Sequence, residues 1–259
     1  MNKKDYENNG YILIRDFIPQ SEINSYALQL AWLVEQQLKV HGEDMQYFEN
    51  SLTLLSRNLI KLGAINKKFQ GYIYDQATRM PFMYKLASSN SLIFLAREIL
   101  SQNIAIHSRI NMIMAMPKDL WNVALWHQDS FYNQSNHLVA YIPLQLSDKN
   151  NGMIKIGVGE HKNGLMHHKK INKNNKWISI PDENINKFKN IKQLKLNAGD
   201  LLLFNGLLPH SAEVNKSTDV RFAITIRYSN LNDKFFKQRG WVWEDLSIEG
   251  LKALKSKEN

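Results

Sequence analysis

The stretch "STDVRFAITIRYSN", residues 217–230, decides the fold. Arg221, Ala223, Thr225 and Arg227 fall on one side of an alternating pattern; Val220, Phe222, Ile224, Ile226 and Tyr228 fall on the other. A period of two is that of a β-strand, whose successive side chains point to opposite faces. One face is wholly apolar and must pack on something. The other carries two guanidinium groups and has two readings. Either it meets water, or the apolar face packs on helices and the arginines point into a barrel. Inside a barrel, a guanidinium needs an anion that offers it two oxygens.

Working outward from this strand, the period of two begins near residue 104. "IAIHSRINMIMAMP", "ALWHQDSFY", "HLVAYIPLQLS", "GMIKIGVG" and "KQLKLNAGDLLLFNG" all read as short β-like runs. Turn signals "DKNNG", "NAGD" and "NKSTD" separate them. Short strands at this spacing suggest a sandwich or barrel. The first hundred residues read differently. "NNG" predicts a turn and "YILIRDF" a strand. "IPQSEINSYALQLAWLVEQQLKV" then carries apolar residues at Ile23, Tyr26, Ala27, Leu30, Leu33 and Val34, a helical period. Residues 51–100 read as mostly helical, with "MPFMYKLASSNSLIFLAREIL" offering an apolar helical face and Ser91 a cap. Helices first and strands after define an α+β chain.

Composition narrows the function. The chain has 259 residues, 44% of them apolar, enough for one sizeable core. No repeat, linker or domain boundary is visible, so 1–259 reads as a single domain: 1–103 mainly helical, 104–230 the β core, 231–259 a C-terminal extension. There is no cysteine, which excludes disulfides and thiolate zinc sites. No 18-residue apolar run predicts a membrane span, and the N-terminus has no apolar signal segment, so a cytoplasmic protein is expected. The formal charge is +9. The basic segment "EHKNGLMHHKKINKNNKW", residues 160–177, reads as a solvated loop or as an electropositive rim favouring an anionic substrate. Its basic residues are not interleaved with aromatics, apart from Trp177, which makes nucleic acid a weak candidate partner.

The chemistry-bearing pair is His127 and Asp129 in "WHQD". On a strand, residues two apart project to the same side, where an imidazole and a carboxylate can share a metal ion. With 8 His in the chain, chance alone supplies roughly 0.4 H-x-D matches. A third ligand is offered by "GDLLLFNGLLPHSAEVN", where a Gly199-Asp200 turn leads into a buried strand and His210 follows. Two imidazoles and one carboxylate on one side of a metal form a facial triad with open positions, suited to non-haem Fe(II) and O₂. His161 reads as loop-stabilising, and His137, His167 and His168 as exposed.

These motifs resemble the phytanoyl-CoA dioxygenase family of Fe(II)/2-oxoglutarate oxygenases: H-x-D, a long gap, a His after a "GD" strand, and an Arg shortly beyond. Arg221 follows His210 at the family's spacing (221 − 210 = 11). "LQLSDKNNGMIKIGVGEHKNG", "GYILIRDFIPQSEI" and "HSRINM" resemble further family segments, so the likeness runs from about residue 9 to 230. It implies a double-stranded β-helix, a jelly-roll or cupin-like barrel flanked by N-terminal helices. It implies Fe(II) held by His127, Asp129 and His210, and 2-oxoglutarate whose far carboxylate meets Arg221, helped by Asn111 and Thr225. The reaction implied is O₂-dependent hydroxylation of a small-molecule C–H bond with release of succinate and CO₂. Two departures stand out. Ile113 occupies a position where relatives place a polar cosubstrate contact, and Ala212 one where many carry a hydroxyl. His107, Arg109 and Phe131 face inward in this reading as candidate substrate contacts, while Trp126 and Gln128 face away from the metal. Two other readings use the same residues: an AlkB-like nucleic-acid demethylase, whose paired arginines Arg221 and Arg227 echo, and a non-enzymatic jelly-roll binding protein. The oligomeric state is not legible.

Overall fold

The computed structural model of the protein describes residues 3–43, 52–107, 110–133, 137–170 and 173–233. The chain opens with a short helix α1 (Lys3–Asn9), which the "NNG" turn signal did not anticipate, and a strand β1 (Tyr11–Ile14). Helices α2 (Gln20–Val40), α3 (Leu52–Ile65), α4 (Lys67–Ala77), α5 (Pro81–Ala87) and α6 (Asn90–Ile99) follow. The apolar stripe read from the sequence of α2 is the buried one, from Ile23 to Val34. The segment 80–100 divides into α5 and α6, where the Ser88 Oγ bonds back to the carbonyl of Tyr84 and the chain turns. The position before α6 is Ser89, so Ser91 lies inside the helix and does not cap it.

The remaining strands are β2 (Ile104–Ile106), β3 (Asn111–Ala115), β4 (His137–Pro143), β5 (Ile154–Gly157), β6 (Ile191–Leu194), β7 (Leu201–Asn205), β8 (His210–Ala212) and β9 (Arg221–Asn230), with short helices α7 (Asp129–Asn133) and α8 (Asp182–Ile185) between them. They form two antiparallel sheets. The larger runs β1-β7-β4-β9-β2, with β3 also paired to the first half of β9; the smaller runs β6-β5-β8. This mixed helix and jelly-roll architecture is the expected fold class. One boundary differs from the sequence reading: β1, from the helical N-terminal part, completes the larger sheet by pairing with β7.

The strand that opened the sequence reading is the hub of the larger sheet. Phe222, Ile224, Ile226 and Tyr228 are fully buried against the helices, together with Leu138, Ala140 and Ile142 of β4 and Leu201 and Leu203 of β7. The Tyr228 hydroxyl donates to the Ala87 carbonyl at 2.7 Å, tying the sheet to α5. The opposite faces of the same strands turn inward: Ala223, Val139, Tyr141, Leu202 and Phe204 pack with Ile154, Ile156 and Leu194 of the smaller sheet. So the apolar face of β9 meets helices and its arginine face meets the barrel interior.

Three β-like runs are not single strands. "IAIHSRINMIMAMP" contains both β2 and β3. "KQLKLNAGDLLLFNG" splits between the sheets as β6 and β7. In "ALWHQDSFY", the chain makes only a bridge at His127 and then coils into α7. Ser130 N donates to the Gly206 carbonyl and Phe131 N to Gln128, which turns the chain off the strand path.

The Gly199-Asp200 corner fixes where β7 starts. Asp200, fully buried, accepts from Arg15 at 2.5 Å, from Asp16 N at 3.1 Å and from Asn197 N at 2.7 Å. Gly199 has φ +78, and a Cβ there would lie 2.3 Å from the Ile18 carbonyl oxygen, a backbone atom that cannot move aside. Gly199→Ala is therefore expected to cost on the order of 3 kcal/mol. That lowers the thermal midpoint by roughly 6–12 °C in a calorimetric melt.

Candidate metal centre

His127 and His210 face each other across a two-bond backbone bridge: His127 N donates to the His210 carbonyl and His210 N to the His127 carbonyl, both at 2.9 Å. Their rings lie 4.2 Å apart. Asp129, the first residue of α7, adds its carboxylate from the next turn of chain. The three are buried, and one ligand atom from each lies within 4.8 Å of the others. Asp129 thus reaches the histidines from a helix start, not by strand alternation as the H-x-D spacing had suggested.

Backbone carbonyls set the histidine tautomers. His127 Nδ1 is 2.7 Å from Leu125 O and His210 Nδ1 is 3.0 Å from Leu208 O. A carbonyl only accepts, so both Nδ1 atoms carry the proton and both Nε2 atoms present a lone pair. These lone pairs face Asp129 Oδ1, at 3.4 Å from His127 and 3.8 Å from His210. Three electron-rich atoms aimed at one another in a buried space are a donor set for a cation. The other carboxylate oxygen, Oδ2, accepts from Arg227 Nε at 2.8 Å and lies 2.7 Å from Arg227 Nη2 in an ion pair.

Burial opposes ionisation of Asp129, but the Arg227 guanidinium, aided by both histidines, holds its carboxyl well below the usual carboxylate range. Burial, reinforced by the neighbouring His127, pushes His210 down to about 3. Both folded values lie below the unfolded ones, so the native state binds fewer protons and stability rises with pH. The His210 contribution is complete above about pH 6.5 and drains away as pH falls below that value. The Asp129 contribution goes only at more acid pH. The metal-free protein should therefore lose stability by up to about 1.4 kcal/mol per pH unit as pH falls below 6.5. Urea melts from pH 7 to 5 measure this slope, and His210→Gln should flatten it.

The triad opens on a cavity of about 380 Å³. Arg221, Thr225 and Arg227 line it from β9, Asn111 and Ile113 from β3, Tyr141 from β4 and Phe204 from β7. Arg221 is 3% exposed. Its Nη1 donates to the Tyr141 hydroxyl and its Nε to the Asn151 carbonyl at 3.1 Å, and it meets no carboxylate among the described residues. Thr225 Oγ1 and Ser211 Oγ are buried with no hydrogen-bond partner there. A buried cation and two orphaned hydroxyls fit an anionic oxygen-rich ligand. Ile113 and Ala212, the two departures noted in the sequence, line the same cavity as apolar wall. Asn111 accepts from Tyr74 of α4 at 3.2 Å, so the helical layer reaches the cavity too.

The other candidates are placed differently. Phe131 stacks on His168 with ring centroids 4.2 Å apart, and His107 bonds Ser229 at 2.6 Å; neither lines the cavity. Arg109 lies outside the described residues. His137 and His168, expected to be exposed, are buried: His137 stands at the start of the central strand β4, and His168 accepts from Gln128 N at 3.1 Å. His167 is exposed, as expected. Gln128 packs away from the triad and holds the carbonyls of Gly164 and Leu207. The sequence reading missed Tyr141 and the outer wall residue Trp177, whose ring lies 4.6 Å from that of His127. Tyr141 was readable in principle, because it shares the inward face of β4 with Val139.

A jelly-roll barrel with an interior two-histidine, one-carboxylate triad and a buried arginine is the architecture of an Fe(II)/2-oxoglutarate-dependent oxygenase. The chain belongs to the phytanoyl-CoA dioxygenase (PhyH) family, whose model matches residues 6–223. It is 22% identical to the peroxisomal phytanoyl-CoA dioxygenase of Bos taurus, over 98% of this chain and 75% of that protein. To a probable phytanoyl-CoA dioxygenase of Caenorhabditis elegans it is 23% identical, over 98% of this chain and 83% of that one. Among solved structures it resembles the epimerase SnoN in complex with Fe³⁺, alpha ketoglutarate and nogalamycin RO. That likeness has TM-score 0.60 at 15% identity, over 88% of this chain and 82% of that one. It also resembles apo EctD from S. alaskensis, with TM-score 0.59 at 17% identity, over 90% and 79% of the two chains. No helix among the described residues is long and apolar enough to cross a membrane.

Proposed function

We propose that this protein hydroxylates a C–H bond of a small-molecule metabolite, with Fe(II) held by Nε2 of His127 and His210 and by Oδ1 of Asp129. The observation that carries the proposal is one cavity holding both the convergent triad and a buried Arg221 that meets no carboxylate among the described residues. When bound, Fe(II) supplies O₂ activation coupled to decarboxylation of 2-oxoglutarate to succinate and CO₂. The protein's part is binding, orientation and exclusion of water. Arg221, with the Tyr141 hydroxyl beside it, takes the far carboxylate of 2-oxoglutarate. The orphaned hydroxyl of Thr225 and the amide of Asn111 complete that pocket. Ile113, Ile154, Phe204 and Ala212 keep it dry, which strengthens each of these polar contacts. Helices and jelly roll act as one domain in this reading, since β9 packs on both sides.

For the primary substrate we propose an anionic small molecule entering beside Trp177 and Lys176, the end of the basic segment that lines the cavity. A cytoplasmic location belongs to the same proposal, although the mammalian relatives are named peroxisomal. The test is a succinate-release screen over a panel of acyl thioesters, amino-acid derivatives and other metabolites with added Fe(II). Stoichiometric succinate with one compound class is the expected result. Release stimulated only by single-stranded nucleic acid and lost in salt would favour the demethylase reading instead. No succinate above the metal-free blank with any compound would sink the oxygenase reading.

A further inference from the structure

Arg227 is a charged side chain of the cavity whose partner is a proposed metal ligand. It is 13% exposed at the side chain, and Asp129 is 7% exposed. The Nε hydrogen bond at 2.8 Å and the Nη2 ion-pair contact at 2.7 Å both end on Asp129 Oδ2. The guanidinium thus engages Oδ2, and Oδ1 is the oxygen turned toward His127 Nε2 and His210 Nε2.

We propose that Arg227 is a positioning residue that restricts Asp129 to one-oxygen ligation. The inference rests on the metal-centre reading above. A free aspartate can chelate a cation through both oxygens, and in an octahedral site that would consume a fourth position. With Oδ2 engaged by Arg227, Asp129 would offer a bound metal one oxygen, and the protein three donors in all. Arg227 also cancels the charge of Asp129. A bound divalent ion would then keep most of its charge for a dianionic cosubstrate, and Arg221 adds a further positive charge on the same strand face. The second arginine of β9, six residues beyond the first (227 − 221 = 6), is accounted for by this contact and does not require a nucleic-acid substrate.

Cobalt(II) reports ligation through its visible d–d spectrum, so it separates this idea from a purely structural ion pair. The full-length protein is titrated anaerobically with Co(II), then with 2-oxoglutarate, as wild type, Arg227→Met and Arg227→Lys. Circular dichroism checks that each variant is folded. If the proposal holds, both variants bind Co(II) with a d–d spectrum that differs from wild type in position and intensity. Arg227→Met then binds 2-oxoglutarate at least tenfold more weakly. Arg227→Lys falls between, because it keeps the charge and loses the fork. A wild-type spectrum with 2-oxoglutarate affinity within twofold of wild type, in either folded variant, overturns it. If Arg227→Met does not fold, Arg227→Lys carries the test alone, with the altered spectrum as its criterion. Failure of the wild-type protein to bind Co(II) would instead overturn the metal-centre reading beneath it.

Discussion

Replacing His127 by alanine is expected to abolish succinate formation and to weaken Fe(II) binding by more than about a hundredfold. Loss of a mere outer-shell partner already costs about 10–100-fold in affinity, and here a direct donor is removed. The fold should survive the change. The bridge to His210 is made by backbone atoms, N to carbonyl in both directions at 2.9 Å, and alanine keeps both bonds. What disappears is one Nε2 lone pair, the Nδ1 bond to Leu125 O and the ring contacts with His210 at 4.2 Å and Trp177 at 4.6 Å. Equilibrium dialysis against Fe(II), with the melting curve measured alongside, separates lost ligation from lost structure. A folded alanine variant that still binds iron and turns over would remove His127 from the site.

Arg221→Ala should act on the other reactant. The guanidinium is buried and bonded to the Tyr141 hydroxyl and the Asn151 carbonyl, neither of which balances its charge. A desolvated, charge-paired contact of this kind is worth about 2–5 kcal/mol by truncation, which corresponds to a rise of roughly 30- to 4,000-fold in KM for 2-oxoglutarate. Iron affinity should stay within about threefold, because Arg221 makes no contact with the triad, whereas Arg227, further along the same face, does. Arg221→Lys should recover only part of the loss, since an ammonium lacks the planar fork. Isothermal titration with 2-oxoglutarate under argon reads the two effects separately. Equal losses for metal and cosubstrate would contradict the assignment of Arg221 to the far carboxylate.

Much of the site was legible in the chain because its logic is local. The alternation of residues 220–228 told which side of β9 is apolar, and the structure puts that side on the helices and Arg221, Thr225 and Arg227 in the cavity. His127, Asp129 and His210 were readable from residue type and spacing together with the family likeness. The reason given for His127 and Asp129 pointing the same way was wrong in detail. Side-chain alternation does not survive the start of α7, which the aromatic pair Phe131-Tyr132 disguised as strand. His137 and His168 looked like surface residues because nothing in their local pattern reveals a tertiary partner. Their burial depends on β4 lying at the centre of the larger sheet and on the Gln128 turn. The pairing of Arg227 with Asp129 spans 98 residues and has no local signature either. The same holds for Trp177, which reaches the cavity because Asn175, 1% exposed, grips the carbonyls of Leu120 and Val123.

The central claim is that one cavity binds Fe(II) and 2-oxoglutarate together. The most direct measurement is the visible absorption of the anaerobic protein as 2-oxoglutarate is added to its stoichiometric Fe(II) complex. A metal-to-ligand charge-transfer band should grow and saturate at one iron per chain, and should be absent in His127→Ala. No band at saturating Fe(II) and 2-oxoglutarate, in folded protein, would contradict the account.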